Sequence, residues 1–126
     1  MLKKTLPNEI LLGEVTALLR EGRDAAIQPK GNSMLPFIRN GQDEVVLRKR
    51  DGVGVGDIVL ANLGDRYVLH RIIAVDGDAV TLMGDGNLKG TEHCTRDSVV
   101  GTVIEIRRPD GPIRKPGKGR LWRILK

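Results

Sequence analysis

Cysteine occurs once in this chain of 126 residues, at Cys94. A lone thiol excludes an internal disulfide framework, and the lack of Cys pairs at ligand spacing excludes a Cys-rich structural zinc site. Aromatic residues number three, Phe37, Tyr67 and Trp122. They offer little stacking surface for single strands, so no nucleic-acid partner is expected. No segment reaches the roughly 18 to 20 apolar residues that a membrane-spanning helix needs. The opening Met1-Leu2-Lys3-Lys4 has the basic start of a secretion signal, but Pro7, Glu9 and Glu14 interrupt the apolar stretch that would have to follow. The expectation is a soluble, cytoplasmic protein.

What the chain does have is sixteen Gly and six Pro among apolar residues that are mostly Val, Ile and Leu. That mixture favours short strands and tight turns over a helical bundle. The formal net charge of +5 is uneven: residues 107–126 carry a net +7, leaving −2 for residues 1–106. The basic tail, which ends in Leu121-Trp122-Arg123-Ile124-Leu125, could meet an acidic surface and is the feature through which peripheral membrane contact is expected. A solvated terminus explains the same charge.

From Pro7 to about Gly22, Ile10, Leu11, Val15, Leu18 and Leu19 recur at helical spacing. Asn8 is placed to cap this amphipathic helix and Gly22 to end it. After residue 40 the pattern becomes short β-branched runs: Glu44 to Leu47, Asp57 to Ala61, Tyr67 to Val75, Ala79 to Met83 and Ser98 to Ile106. Asp76-Gly77-Asp78 predicts a hairpin between the third and fourth runs, with Gly77 at the reversal. Strands without intervening helices predict a mainly β domain, an antiparallel, partly closed sheet or barrel with one N-terminal helix. The expected organisation is a helix in residues 1–24, a β domain in 25–106 and a basic tail in 107–126.

Chemistry points to two places. Gly31-Asn32-Ser33-Met34-Leu35-Pro36-Phe37 reads as a loop that holds a serine among large apolar neighbours. His70 lies within the apolar run Tyr67 to Ile73, on one strand face with Val68 and Ile72 if the side chains alternate. Serine needs a base within hydrogen-bond reach to become a nucleophile, and imidazole suits proton transfer near neutrality. His93, among Thr91, Glu92, Cys94 and Thr95, reads as a loop residue and a poor base. On these residues alone, an ordinary hydrogen-bonded core histidine is the better explanation of His70.

The surrounding order is more specific. Gly31-Asn-Ser-Met-Leu-Pro, Gly56-Asp57-Ile58-Val59, Val68-Leu69-His70-Arg71-Ile72-Ile73 and Gly84-Asp85-Gly86-Asn87 resemble, in order and spacing, the four boxes of type I signal peptidases. The resemblance runs from about Gly31 to Gly101. It implies a serine endopeptidase acting on polypeptide, without cofactor or metal, with Ser33 as nucleophile and His70 as general base. Histidine at this position is similar to the endoplasmic-reticulum-like branch, whereas the bacterial enzymes and the related autocleaving repressors use lysine. Those repressors cut themselves at Ala-Gly or Cys-Gly, and neither dipeptide occurs here. The resemblance further implies that the Ser33 backbone N–H serves the oxyanion hole, with Gly31 adding no hydroxyl. Met34, Leu35 and Phe37 would line the substrate cleft or simply fill the core.

Asp85 is the supporting carboxylate the resemblance favours, holding either His70 or the Ser33 loop, although a turn needs an Asp there in any case. The histidine branch usually places its orienting aspartate further on, where this chain has Thr91 and Glu92. Arg71, on the opposite face from His70, is expected to make a structural contact with an acidic turn, and Asp57 to form one. Two alternatives remain: a silent module that binds extended peptides on the same fold, and a membrane- or nucleic-acid-binding protein driven by its tail.

Overall fold

A computed structural model describes residues 2–5, 9–29, 38, 42–84, 90–109, 111, 113 and 115. Helix α1 spans Glu9–Arg20, and strands β1 to β8 are Leu2–Thr5, Ala25–Gln28, Glu44–Arg48, Ile58–Asn62, Tyr67–Asp76, Ala79–Met83, Glu92–Thr95 and Val99–Arg107. They form an eight-stranded sheet in the order β1-β2-β3-β8-β4-β5-β6-β7, curled into a half-barrel. Strands β2 to β8 pair antiparallel, and β1 joins the edge of β2 parallel. The mainly β architecture with one helix is the expected one.

Alternation divides the apolar residues between two cores. Ile58 and Leu60 face one side with Ala25, Ile27, Val45, Leu47 and Ile106, and helix α1 covers them with Leu12, Val15 and Leu19. Val59 and Ala61 face the other side with Ile72, Val80 and Leu82. Each buried Val, Leu or Ile among them stabilises the fold by about 1.5–3 kcal/mol relative to exposure. The buried helical stripe differs from the expected one: Leu12 is in it and Leu18 is only half-buried. Close packing sets that rotation, because α1 rests on β8 where Gly101 lets it approach. A Cβ added at Gly101 would stand 2.8 Å from Leu19 Cδ1.

The helix ends as Gly22 predicts. Gly22 adopts φ 84°, its N–H bonds Leu19 O at 3.0 Å, and Arg23 N–H bonds Leu18 O at 3.1 Å. This is the Schellman pattern, which satisfies the last carbonyls. Asn8, the expected cap at the other end, lies outside the described residues. The β5–β6 hairpin also forms, with Asp76 paired to Ala79 and Gly77 at φ 58°. A positive φ at the first central residue alone is the type II′ arrangement that matches strand twist.

Three strands were not legible in the sequence pattern, among them β1, Leu2–Thr5. Ala25–Gln28 forms β2, and the polar run Glu92–Thr95, expected as loop, forms β7 against β6. Strand β8 continues to Arg107, and Arg108 donates from Nε to the buried Asp43 at 3.3 Å. Two basic residues counted with the tail are thus engaged at the end of the sheet. Among the described residues, no helix is long and apolar enough to cross a membrane.

Candidate active site

Strand β5 carries His70 between two apolar neighbours on the same face. Val68 and Ile72 both belong to the second core, and Val59 of β4 stands opposite His70. The expected alternation therefore holds, and the imidazole is only 7% exposed. Residues on the other face of β5 go to the first core: Tyr67 and Leu69 pack against it.

Arg71 also lies on that other face and is fully buried. Its Nη1 donates to Gly56 O at 2.7 Å, in the turn that includes Asp57. Asp57 shapes this turn: its Oδ2 accepts from Gly54 N–H at 3.0 Å and its own N–H bonds Gly54 O at 3.1 Å. Gly56 N–H bonds Ile72 O and Ile72 N–H bonds Asp57 O, at 2.9 and 2.8 Å. The turn is thereby clamped to β5 on either side of Arg71, which fixes the backbone next to the imidazole.

The decisive contact comes from β7. Glu92 Oε1 lies 2.5 Å from His70 Nδ1, with the carboxylate side chain 13% exposed. Register explains how a residue two strands away can reach. Ile72 pairs with Leu82 and Leu82 with Glu92, so all three share a face with His70. Continuing the Arg71–Met83 pairing by one residue sets Gly84, which has no side chain, beside His70. Two strand spacings amount to roughly 9.5 Å, which needs the length of glutamate. The second oxygen, Oε2, lies 3.9 Å from Nη2 of Arg66 on the approach to β5.

A carboxylate on Nδ1 directs the ring and selects the tautomer whose Nε2 accepts a proton. A general base held by an orienting carboxylate needs such an arrangement. The other histidine has a different setting: His93 points to the opposite, exposed side of β7, with Thr81 Oγ1 and Thr91 Oγ1 3.3 and 3.4 Å from its ring nitrogens. Cys94 returns to the His70 side, half-buried in the second core. Burial, and secondarily the Glu92 charge, pushes its thiol pKa up, which suits a packing residue and not a nucleophile.

Ser33, Met34, Leu35, Phe37 and Asp85 lie outside the described residues. The structure thus brings together His70 and Glu92 from the sequence-derived set, and adds Arg66. The resemblance marked Glu92 only by its distance beyond the Gly84-Asp85-Gly86-Asn87 box; alternation along β7, with Glu92 and Cys94 less exposed than His93 and Thr95, is the signal that chooses it. Among the described residues, no group of three His, Cys, Asp or Glu is placed to hold a metal ion.

No curated protein sequence matches the chain. The family comparison is positive, and it agrees with the half-barrel and with the superfamily to which the sequence motifs point. Its Peptidase S24-like model matches residues 4–104, most of the chain, and the protein belongs to that family.

Proposed function

We propose that this protein is a serine endopeptidase in which Ser33 attacks the substrate carbonyl, His70 is the general base and Glu92 holds His70. The observation that supports this most is the buried imidazole with Nδ1 on a carboxylate, on the strand where the family resemblance puts the base. A core histidine in a neutral role needs only a neutral acceptor. An acidic partner adds stabilisation for the imidazolium that forms during proton transfer.

In this reading Ser33 Oγ bonds to the scissile carbonyl carbon as its proton passes to His70 Nε2. The oxyanion is met by the Ser33 backbone N–H, a donor of the kind worth about 3–4 kcal/mol in the transition state. His70 then gives the proton to the departing amine as the C–N bond breaks. Water, deprotonated by His70, next attacks the acyl ester and frees Ser33. Asp85 would steady the Ser33 loop, and Met34, Leu35 and Phe37 would bound the substrate cleft.

The test is acylation by a fluorophosphonate probe followed by peptide mapping. Labelling on Ser33, lost in Ser33→Ala and strongly slowed in His70→Gln, is the expected result. Modification at another residue, or undiminished labelling in Ser33→Ala, would refute the assignment. A chain that binds peptides but never reacts with the probe would be a silent member of the same fold.

A further inference from the structure

The turn between β4 and β5 sets a cation beside the His70–Glu92 pair. Gly64 adopts φ 96°, Leu63 N–H bonds Arg66 O at 2.8 Å, and Asn62 Oδ1 accepts from Gly64 N–H at 2.9 Å. This tight reversal fixes where Arg66 enters β5. Counted by twos, Arg66, Val68 and His70 share one face of the chain, the face that Glu92 also reaches. The guanidinium is divided between two carboxylates. Its Nη1 donates to Asp65 Oδ2 at 3.0 Å, and its Nη2 lies 3.9 Å from Glu92 Oε2. Asp65 and Arg66 are open to solvent, whereas the Glu92 side chain is largely buried.

Among the described residues, few other charges bear on the imidazole. Strand β4 presents Val59 to it, β6 presents Leu82, and β8 presents Thr102 behind Val59, all uncharged. Strand β7 adds the Cys94 thiol beyond Glu92. Asp57, in the turn before β4, has Oδ2 on Gly54 N–H, and Arg71 is directed to the opposite face of β5. A carboxylate against Nδ1 has two opposed effects. It aims the ring, and it also favours the imidazolium, which cannot accept a proton.

We propose that Arg66 is a positioning residue for His70: it holds the second oxygen of Glu92 and offsets that carboxylate's pull on a proton, while Asp65 competes with Glu92 for it. The ring is then aimed by Glu92 and still neutral when substrate arrives. Exposed ion pairs contribute little to stability, so the role is electrostatic and leaves the fold unchanged. The inference rests on the peptidase reading and names the pair of side chains that sets the working pH range of its base.

The experiment is a proton NMR titration of the full-length chain, following the histidine Cε1–H signals. The chain has two histidines, so the signal missing from His93→Gln is His93 and the other is His70. Arg66→Gln leaves the Glu92 charge uncompensated and should raise the His70 midpoint by about half a pH unit, the effect of one solvent-accessible charge several ångströms away. Asp65→Asn, which releases Arg66 to Glu92 and removes a negative charge, should lower the midpoint. Arg66→Lys keeps the charge and should stay close to the parent. With Ser33 intact, the acid limb of kcat/KM on a cleaved peptide should move with each midpoint.

A His70 midpoint that is unchanged or lower in Arg66→Gln overturns the proposal. So does an equal shift at His93, which faces the other side of β7 and would report net charge alone. Where Arg66→Gln alters the circular dichroism, Asp65→Asn decides, and an unchanged or raised midpoint there is equally fatal. Failure of the peptidase reading looks different: His70 responds to both substitutions in the expected directions, but the chain cleaves nothing.

Discussion

Glu92 reaches His70 across an intervening strand, its Oε1 2.5 Å from the imidazole Nδ1. The contact ties the last strand of the sheet to β5, and the proposed mechanism depends on this span. In Glu92→Gln the amide supports the ring geometrically but not the imidazolium charge. We expect kcat to fall by about 10²–10⁴-fold with KM little changed, measured on a cleaved peptide at several pH values. Glu92→Asp, shorter by about 1.5 Å, should recover only part of the rate. A wild-type rate in Glu92→Gln would remove Glu92 from the mechanism.

Arg71 should prove more important to stability than to chemistry. Its guanidinium is fully buried and donates to Gly56 O. Arg71→Met leaves that carbonyl without this donor, and a loss of about 1–3 kcal/mol is expected in urea unfolding. An unchanged midpoint would show that the 54–57 turn holds to β5 through its backbone bonds alone.

Gly101 leaves no room for a larger residue under α1. In Gly101→Val the new Cβ meets Leu19 Cδ1, a side chain with no exposed surface. Overpacking should cost about 1–3 kcal/mol, visible as a lower Tm. Leu19→Ala in the same chain should recover part of the loss, so the two changes should combine to less than their sum.

Asp24 and Arg48 form a bidentate pair, with Nε and Nη2 donating at 2.9 and 2.8 Å. The hydrogen bonds from Arg48 lower the Asp24 pKa below its ordinary 3.8. A depressed carboxyl pKa stabilises the fold above the unfolded value, and the benefit disappears as pH falls through the folded one. Arg48→Met should therefore be less stable than the parent at pH 7 and converge with it below about pH 3.8. Both groups are solvent-accessible, so added salt should narrow the difference at neutral pH.

Cys94 should alkylate slowly at neutral pH. Burial raises its pKa, so little thiolate is present to react. Iodoacetamide modification followed by mass spectrometry should be slow in the native chain and fast in urea. A rapid native reaction would mean that β7 leaves the sheet frequently.

The fold was largely written in local chemistry. Gly22 and Gly77 mark reversals because only a residue without Cβ adopts their positive φ cheaply, and Ala79–Met83 shows its strand through β-branched alternation. The site was less legible. His70 announced itself as a polar residue within an apolar run, but Glu92 lies in Glu92-His93-Cys94-Thr95, where no bulky aliphatic residue signals a strand. Its partnership depends on the β6–β7 register, which is a property of three strands and not of any single one. Strand β1 was hidden for a similar reason: Leu2-Lys3-Lys4-Thr5 looks like the start of a leader, and its ladder exists only once β2 is in place.

Strand β7 is a sheet margin of four residues, and it carries the carboxylate that holds His70, the proposed base. Sheet margins open more readily than centres, since a single ladder restrains them. Loss of that ladder would release the imidazole and withdraw only Cys94 from the margin of the second core. Catalysis is thus expected to fail at a lower temperature than the fold, with a window of heat in which the protein is native by circular dichroism and already inert.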